Sequence, residues 1–437
     1  MKRVFVLAVM TLCILRAESQ PYAWKGLRDG VTDPQGFVRT MCYDSMKDEL
    51  FVAGDFGSID SLGAICFAWW NGSIWDNFGI TGQGSGFHNG NYISCSAYHD
   101  SSLYWAIGGT NPGNHGITKK TDTVFQGFTA NGSVYGMCVW GDSIVVVGEF
   151  TKVDGITCNG IAVYDTRNDV WHSLGQGVTS GSLVDCCCVW NGNLIVGGIF
   201  CSVDNINSNG VIMHNGMLWV SLGGGLATCN LSGQNPQVSC VAPFQGNLYA
   251  GLEPPGAFSN FYKWDGSTWN SVPLPFSSSI TCLYATDTIL YMPSKFDGTN
   301  VTFFNDGPTG SIYAIGSYHG ELIFGGSFTY NQSHTDTFNC IARYTDDTFN
   351  IAAPLIQKDD ITLSPNPAAQ NITLNYLEPN SSISIYNLQG ECIMKKVVIT
   401  EETEIDVSDL PSGVYLLQIE NAEGVVVKKV VKEAPAP

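Results

Sequence analysis

An all-β fold is what this sequence predicts: short antiparallel strands in a repeated unit, followed by a smaller β region with different strand spacing. Three observations carry the prediction. A block of about fifty residues recurs, Gly is abundant (49 residues) beside 12% aromatics, and charged residues make up only 14% of the 437-residue chain. Fixed-period self-similarity in this range marks a repeat architecture, and Gly-rich turns between short apolar runs favour strands over helices.

The chain opens with "MKRVFVLAVMTLCILRAESQ", where Lys2 and Arg3 precede an apolar run from Val4 to Leu15, then small residues at Ala17 and Ser19. This reads as a secretory signal over 1–19, cut between Ser19 and Gln20. No later run approaches the roughly 18 consecutive apolar residues that span a membrane. The mature chain is therefore expected to be exported, with no transmembrane segment.

The repeat is clearest when "IVVVGEFTKVDGITCNGIAVYD" from Ile144 is laid over "LIVGGIFCSVDNINSNGVIMHN" from Leu194. Gly148, Phe150, Asp154 and Gly160 then fall on Gly198, Phe200, Asp204 and Gly210. Further copies start at Leu50 and Leu322, and a weaker one is "NLYAGL" from Asn247. Each unit reads as four strands: an apolar first strand such as "SVYGMCVW", a "LIVGG.F" second, a "GIAVY" third, and a fourth that begins at a Trp. The phrases "WNGSIW", "HNGMLW" and "WDGSTW" join third to fourth strands, and Asn-Gly or Asp-Gly there predicts a type I′ hairpin. The Trp can bury about 150–250 Å².

Four-stranded antiparallel sheets repeated at this length suggest a β-propeller, which leaves only short, protected edges. Aromatic markers divide residues 20–350 into about seven blades, of which the second and sixth are degenerate. The N-terminal "WKGLRDGV" matches "WHSLGQGV" from Trp171 and is a fourth strand with no first three before it. It is expected to complete the last blade and close the ring, with "TFNIAAPL" as the competitor for that slot. A linker over 351–360 follows, then a small Ig-like β-sandwich over 361–433 and a tail over 434–437.

That last region resembles the type A C-terminal sorting domain of proteins exported by the type IX secretion system of Bacteroidetes bacteria. The resemblance rests on "SPNP" (Pro365, Asn366, Pro367), "IYNLQG" (Tyr386, Asn387, Gly390), "LPSGVYLLQI" (Gly413, Tyr415) and the final "VVVKKVVK" (Lys428, Lys429). It implies recognition by the type IX machinery, passage across the outer membrane, and residence at the cell surface or outside it. The first region resembles kelch or galactose-oxidase-like propellers, a likeness that implies no particular activity.

The formal charge of −19 and the lack of any Lys/Arg cluster exclude nucleic acid as an expected partner. Fourteen Cys follow the signal, and Cys42, Cys95, Cys138, Cys240, Cys282 and the run Cys186–Cys188 fall on first strands. Facing sheets stand about 10 Å apart, beyond the Cα separation of about 4.4–6.8 Å that a disulfide needs. Buried thiols acting as small apolar fillers are expected there, rather than a ladder of disulfides. Asp60, Asp154 and Asp204 recur after second strands. They are candidate metal ligands, but one Asp per loop falls short of the roughly six to eight oxygens calcium takes, and a turn-capping role is expected.

Asp55 and Glu149 occupy one equivalent place in two blades, where Ile199 and Ser327 stand in others. Two acids in separate blades can meet across a channel as an acid/base pair, and the alternative is strand polarity facing solvent. The seven His are scattered, and no HExxH, GxSxG or phosphate-cradling loop occurs, so neither a metal nor a cofactor is expected. Irregular loops at "GQGSGFHNGNY" and "TNPGNHGITKK" break the second unit and are candidate ligand loops. Together these readings predict a surface propeller that binds glycan or protein. The alternatives are a polysaccharide-active lyase or glycosidase, and a structural surface protein.

Overall fold

The computed structural model describes residues 22–33, 35–64, 66–77, 91–109, 115–226, 237–253, 260–276, 279–346, 362–375, 381–386, 392–398, 400, 402–408, 410–421 and 424–433. Among them there is no helix, and the chain divides into two compact units, Met1–Asp346 and Asp347–Pro437. The expected signal peptide, its cleavage pair Ser19 and Gln20, and the competing "TFNIAAPL" lie outside the described residues.

Among its described residues the first unit has seven antiparallel sheets whose main strands number four. Their first strands begin at Phe37, Asn91, Val134, Val178, Gln237, Tyr284 and Ser311; each of the first five lies beside the first strand of the next sheet, and the sixth reaches the seventh through Tyr284 OH, which donates to Ser317 Oγ at 2.8 Å. The order is cyclic, because the strand Phe37–Asp44 also lies against the strand Ser311–Tyr318. The seventh sheet takes its outer strand from the other end of the chain: Tyr22–Gly26 pairs antiparallel with Ile341–Asp346, Trp24 opposite Tyr344. This is the closure expected from "WKGLRDGV".

The hairpins differ from expectation. Trp70 pairs with Trp75, His214 with Trp219, and Trp264 with Trp269, so each loop holds four residues instead of the two of a type I′ turn. Only the Gly of each pair has positive φ (Gly72 +93°, Gly266 +100°). The preceding Asn or Asp serves through its side chain. Asp265 Oδ1 accepts the N–H groups of Ser267 and Thr268 at 2.8 Å each, and Asn71 Oδ1 accepts those of Ser73 and Ile74 at 3.0 Å. A short acceptor capping its own turn is what selects Asn or Asp here.

The recurrent Trp bonds successive sheets. Trp75 Nε1 donates to Leu27 O at 3.3 Å, Trp219 to Leu174 O at 3.4 Å, and Trp269 to Leu222 O at 3.2 Å. Each acceptor Leu lies three residues after the Trp of the preceding sheet, in the phrases "WKGL", "WHSL" and "WVSL". The Trp75 bond crosses the ring closure. Trp171 is the exception: it follows the degenerate second sheet, which lacks this phrase, and its buried Nε1 has no partner.

Every regular first strand is bulged at one equivalent point. The register skips Arg39, Ser94, Tyr135, Asp185, Ser239 and Tyr313, each just after a buried Val or Ile. A bulge adds an unpaired residue and re-aims its side chain. In the third and seventh sheets a Gly of the second strand permits it: a Cβ on Gly148 would lie 2.1 Å from Ser133 O, and one on Gly326 2.0 Å from Ser311 O, whereas the second and fifth sheets carry Ile107 and Leu252 at that place.

The second unit has a three-stranded sheet (Thr362–Ser364, Asn371–Asn375, Glu402–Asp406) and a four-stranded one (Ser381–Tyr386, Cys392–Val398, Gly413–Asn421, Gly424–Lys432). Buried Ile372, Leu374, Ile383, Ile385, Ile405, Leu417, Ile419 and Val430 form one core between them.

Candidate functional site

The seven bulge positions converge on one cavity of about 490 Å³ at the centre of the ring of first strands. In the irregular sixth sheet Thr281, just ahead of the strand, takes the equivalent place after Ile280. Three of the seven are consumed by structure. Ser94 Oγ donates to Val134 O at 2.5 Å, Ser239 Oγ to Ile280 O at 2.6 Å, and Thr281 Oγ1 to Ile312 O at 2.5 Å. Each ties one bulge to the aliphatic residue of the next sheet. Arg39, Tyr135, Asp185 and Tyr313 line the same cavity with larger side chains.

Arg39 is half-buried, its guanidinium 5.0 Å from the Tyr313 ring centre and 5.9 Å from that of Tyr92. Phe37 packs edge-on to both tyrosines, at 5.5 and 5.9 Å, and fixes them. Across the cavity Asp185 accepts a hydrogen bond from Gln237 Nε2 at 2.8 Å. Burial raises the Asp185 carboxyl above its ordinary range, and the Glu253 charge adds to this, while Gln237 and Arg39 act against it. Glu253 also lines the cavity, from the end of the second strand of the fifth sheet. Two carboxyls held in unlike surroundings are the arrangement that divides proton donor from proton acceptor.

Asp55 and Glu149 hold the place equivalent to Glu253 in the first and third sheets, yet neither lines this cavity. Glu149 is one bond removed from it, accepting from Tyr135 OH at 3.1 Å. Ser327, again equivalent, donates to Tyr313 OH at 3.4 Å. No described contact brings Asp55 and Glu149 together. The signal that would have found Asp185 and Arg39 is the branched aliphatic of each first strand (Val38, Ile93, Val134, Val184, Val238, Ile280, Ile312), followed every time by a residue that varies.

The recurrent aspartates sit at positive φ, at Asp60 +46°, Asp154 +47° and Asp204 +49°. Asp60 Oδ2 pairs with Arg28 Nε at 2.8 Å, and Asp204 Oδ1 accepts Gln176 N at 3.1 Å. Among the described residues no group of three His, Cys, Asp or Glu side chains is arranged to hold a metal ion. The two irregular loops fall largely outside the described residues, at 78–90 and 110–114.

The first-strand cysteines are free thiols. Cys186 Sγ donates to Val238 O at 3.5 Å, Cys240 to Ile280 O at 3.2 Å, and Cys282 to Ile312 O at 3.7 Å. They fill the seam between successive sheets, and burial pushes Cys95 and Cys282 up to about 12. Cys201, by contrast, is disulfide-bonded. His214 replaces an indole in its hairpin, 4.9 Å from Trp219, with Nδ1 accepting from Gly216 N.

In the second unit Asn366 locks the last strand. Its Oδ1 accepts Val431 N at 2.8 Å and its Nδ2 donates to Lys429 O at 2.7 Å, between the flanking Pro365 and Pro367. Tyr415 OH donates to Pro411 O at 2.8 Å, Gly413 begins the same strand, and Lys428 and Lys429 lie on the final one. Tyr386 ends its strand, and Asn387 and Gly390 lie outside the described residues.

No curated protein matches the chain. Solved structures that resemble it share little sequence. One is PorZ, an essential bacterial surface component of the type IX secretion system of Porphyromonas gingivalis (12% identity, 91% of this chain and 65% of that one, TM-score 0.37). Another is the extracellular domain of a hybrid two-component system from B. thetaiotaomicron (13%, 95% and 59%, 0.49). A third is a GH32 β-fructofuranosidase of Bombyx mori (10%, 92% and 89%, 0.27). The chain thus spans less than two thirds of the length of the first two. No helix among the described residues is long and apolar enough to cross a membrane. Residues 362–433 match the family described as "Secretion system C-terminal sorting domain", so the chain carries a type IX sorting domain and is exported to the cell surface or the extracellular space.

Proposed function

We propose that the protein is a surface-displayed β-propeller of seven kelch-like blades that binds a glycan in its axial cavity. The domain plan that goes with this is a signal over 1–19, the propeller over 20–350, a linker over 351–360, an Ig-like sorting sandwich over 361–433 and a tail over 434–437. The observation that carries the reading is the use of one bulge position per sheet to send Arg39, Tyr135, Asp185 and Tyr313 into a single cavity. Its volume of about 490 Å³ falls in the range of about 300–1,000 Å³ usual for small ligands, and is too small for a folded partner. Tyrosine faces and amide, hydroxyl and carboxyl groups suit the alternating C–H and O–H surfaces of a sugar.

The test is calorimetric titration of the exported chain with a panel of oligosaccharides, repeated with Tyr135→Ala and Tyr313→Ala. Saturable binding weakened at least tenfold by either substitution supports the reading. Binding that neither substitution touches moves the ligand elsewhere.

One observation favours a second reading, a glycosidase or lyase. Asp185 and Glu253 are two carboxyls in one cavity with different surroundings, the arrangement that separates a proton donor from a proton acceptor. On this reading the acid pair is Asp185 with Glu253, in place of Asp55 with Glu149. Reducing-end release or unsaturated product that disappears in both Asp185→Asn and Glu253→Gln would favour it. A chain that shows neither turnover nor any saturable ligand is a structural surface protein.

A further inference from the structure

We propose that the ligand of the axial cavity is an acidic saccharide, whose carboxylate or sulfate is held by Arg39 while its hydroxyls face Asp185 and Glu253. The inference rests on the glycan-binding reading above and deepens it.

Its starting point is a cation that, among the described residues, no carboxylate contacts directly, although its charge reaches Asp185. Among the described residues no carboxylate lies within 4.0 Å of the Arg39 guanidinium, although the whole chain carries −19. Among the described residues Arg39 is also the only basic one lining the cavity. A half-buried guanidinium with no ion pair leaves N–H donors open to an incoming acceptor. Tyr92 and Tyr313 hold the group in place, and Phe37 fixes both rings, so it is positioned before any ligand arrives. A held guanidinium presents paired N–H groups that match a carboxylate or a sulfate, which a neutral sugar does not supply.

The opposite wall has the reverse character. Asp185, with its Gln237 partner, and Glu253 offer acceptors and repel any second anion placed there. The cavity is therefore bipolar: an anion is wanted at Arg39 and hydroxyl donors at the acids. A sugar acid or sulfated sugar carries both on one ring. A simple phosphate or an acidic peptide would bring charge to both walls or lack the hydroxyls.

The experiment uses the exported full chain and four probes by calorimetry: trigalacturonate, its methyl ester, galactotriose, and a sulfated galactose trimer. A charged hydrogen bond is worth about 1.5–3 kcal/mol, or roughly 10- to 150-fold in affinity. The expected result is that trigalacturonate or the sulfated trimer binds at least tenfold more tightly than the two neutral probes. Arg39→Gln removes that preference, and Arg39→Lys restores part of it. Preference for the carboxylate probe names a uronate as the source; preference for the sulfated one names a sulfated glycan. Circular dichroism and an unchanged unfolding midpoint confirm that both variants fold; if Arg39→Gln does not, Arg39→Lys and the ester comparison decide. Equal affinity for acid and ester overturns this proposal and leaves the glycan-binding reading standing. Failure of every saccharide to bind overturns both.

Discussion

The orphaned indole of Trp171 makes a quantitative prediction when set against Trp75. Both begin fourth strands, and they are 5% and 6% exposed. Each packs on an aromatic ring 5.0 Å away, Tyr164 for Trp171 and Trp70 for Trp75. Replacing either with Phe removes a similar amount of ring, so the packing loss largely cancels between them. The N–H does not cancel. Trp75→Phe deletes the bond to Leu27 O, which keeps Gly30 N at 3.3 Å, whereas Trp171→Phe removes a buried donor that had no partner. A lost hydrogen bond costs about 0.5–1.5 kcal/mol, and removing an unsatisfied buried donor returns about 1–3 kcal/mol. Trp75→Phe should therefore be the more destabilising by about 2 kcal/mol, within a range of about 1.5–4.5 kcal/mol. Urea unfolding followed by fluorescence reads this as a difference of about 0.7 M in midpoint for a slope near about 3 kcal/mol/M. Equal midpoints, or a lower one for Trp171→Phe, would refute the idea that these bonds join successive sheets.

Other outcomes follow from the same structure. Trp24 packs on Phe304, Phe324, Phe338 and Tyr344 at 4.7–6.0 Å. Trp24→Ala should cost about 3–5 kcal/mol, and a change under 1 kcal/mol in urea unfolding would mean that strand 22–26 does not close the ring. The raised Asp185 carboxyl lowers stability as pH climbs from the unfolded value, about 3.9, through the folded one. Asp185→Asn should thus unfold at higher urea than the parent at pH 7, with the gap closing below about pH 4; a parent more stable at pH 7 reverses the sign and sinks the burial argument. With Cys95 and Cys282 up at about 12, Ellman's reagent at pH 8 should label these two roughly a thousand times more slowly in the native than in the unfolded chain, by peptide mass mapping. Rapid native labelling would place them outside the seam.

The sequence disclosed the repeat, its four strands and the closing role of "WKGLRDGV", because glycines and aromatics at fixed offsets record tight turns and packed rings. It misled at the hairpins, where Asn71 and Asp265 were read as positive-φ residues but act as hydrogen-bond acceptors. The cavity was largely hidden. Bulges shift strand register without leaving a Gly or Pro in the bulged strand itself, so the first strands align by their cysteines as readily as by Val38, Val134 and Val184. Following the cysteines draws the eye past Arg39 and Asp185. Glu253 escaped for a simpler reason, since the weak copy "NLYAGL" stops one residue before it. What a side chain faces depends on contacts far away in sequence, as when Tyr92 and Tyr313 enclose Arg39.

The strand over Tyr22–Gly26 is made before its mate, Ile341–Asp346, which follows more than three hundred residues later. During that interval the waiting strand can meet the open edge of Ile341–Asp346 in any other copy, and edge-to-edge pairing is indifferent to which molecule supplies the strand. Interlinked dimers and chains of molecules are thus the characteristic misfolding hazard of this architecture, growing with the concentration of unfinished protein. A cell that produces it gains from keeping nascent copies apart until each has bitten its own tail.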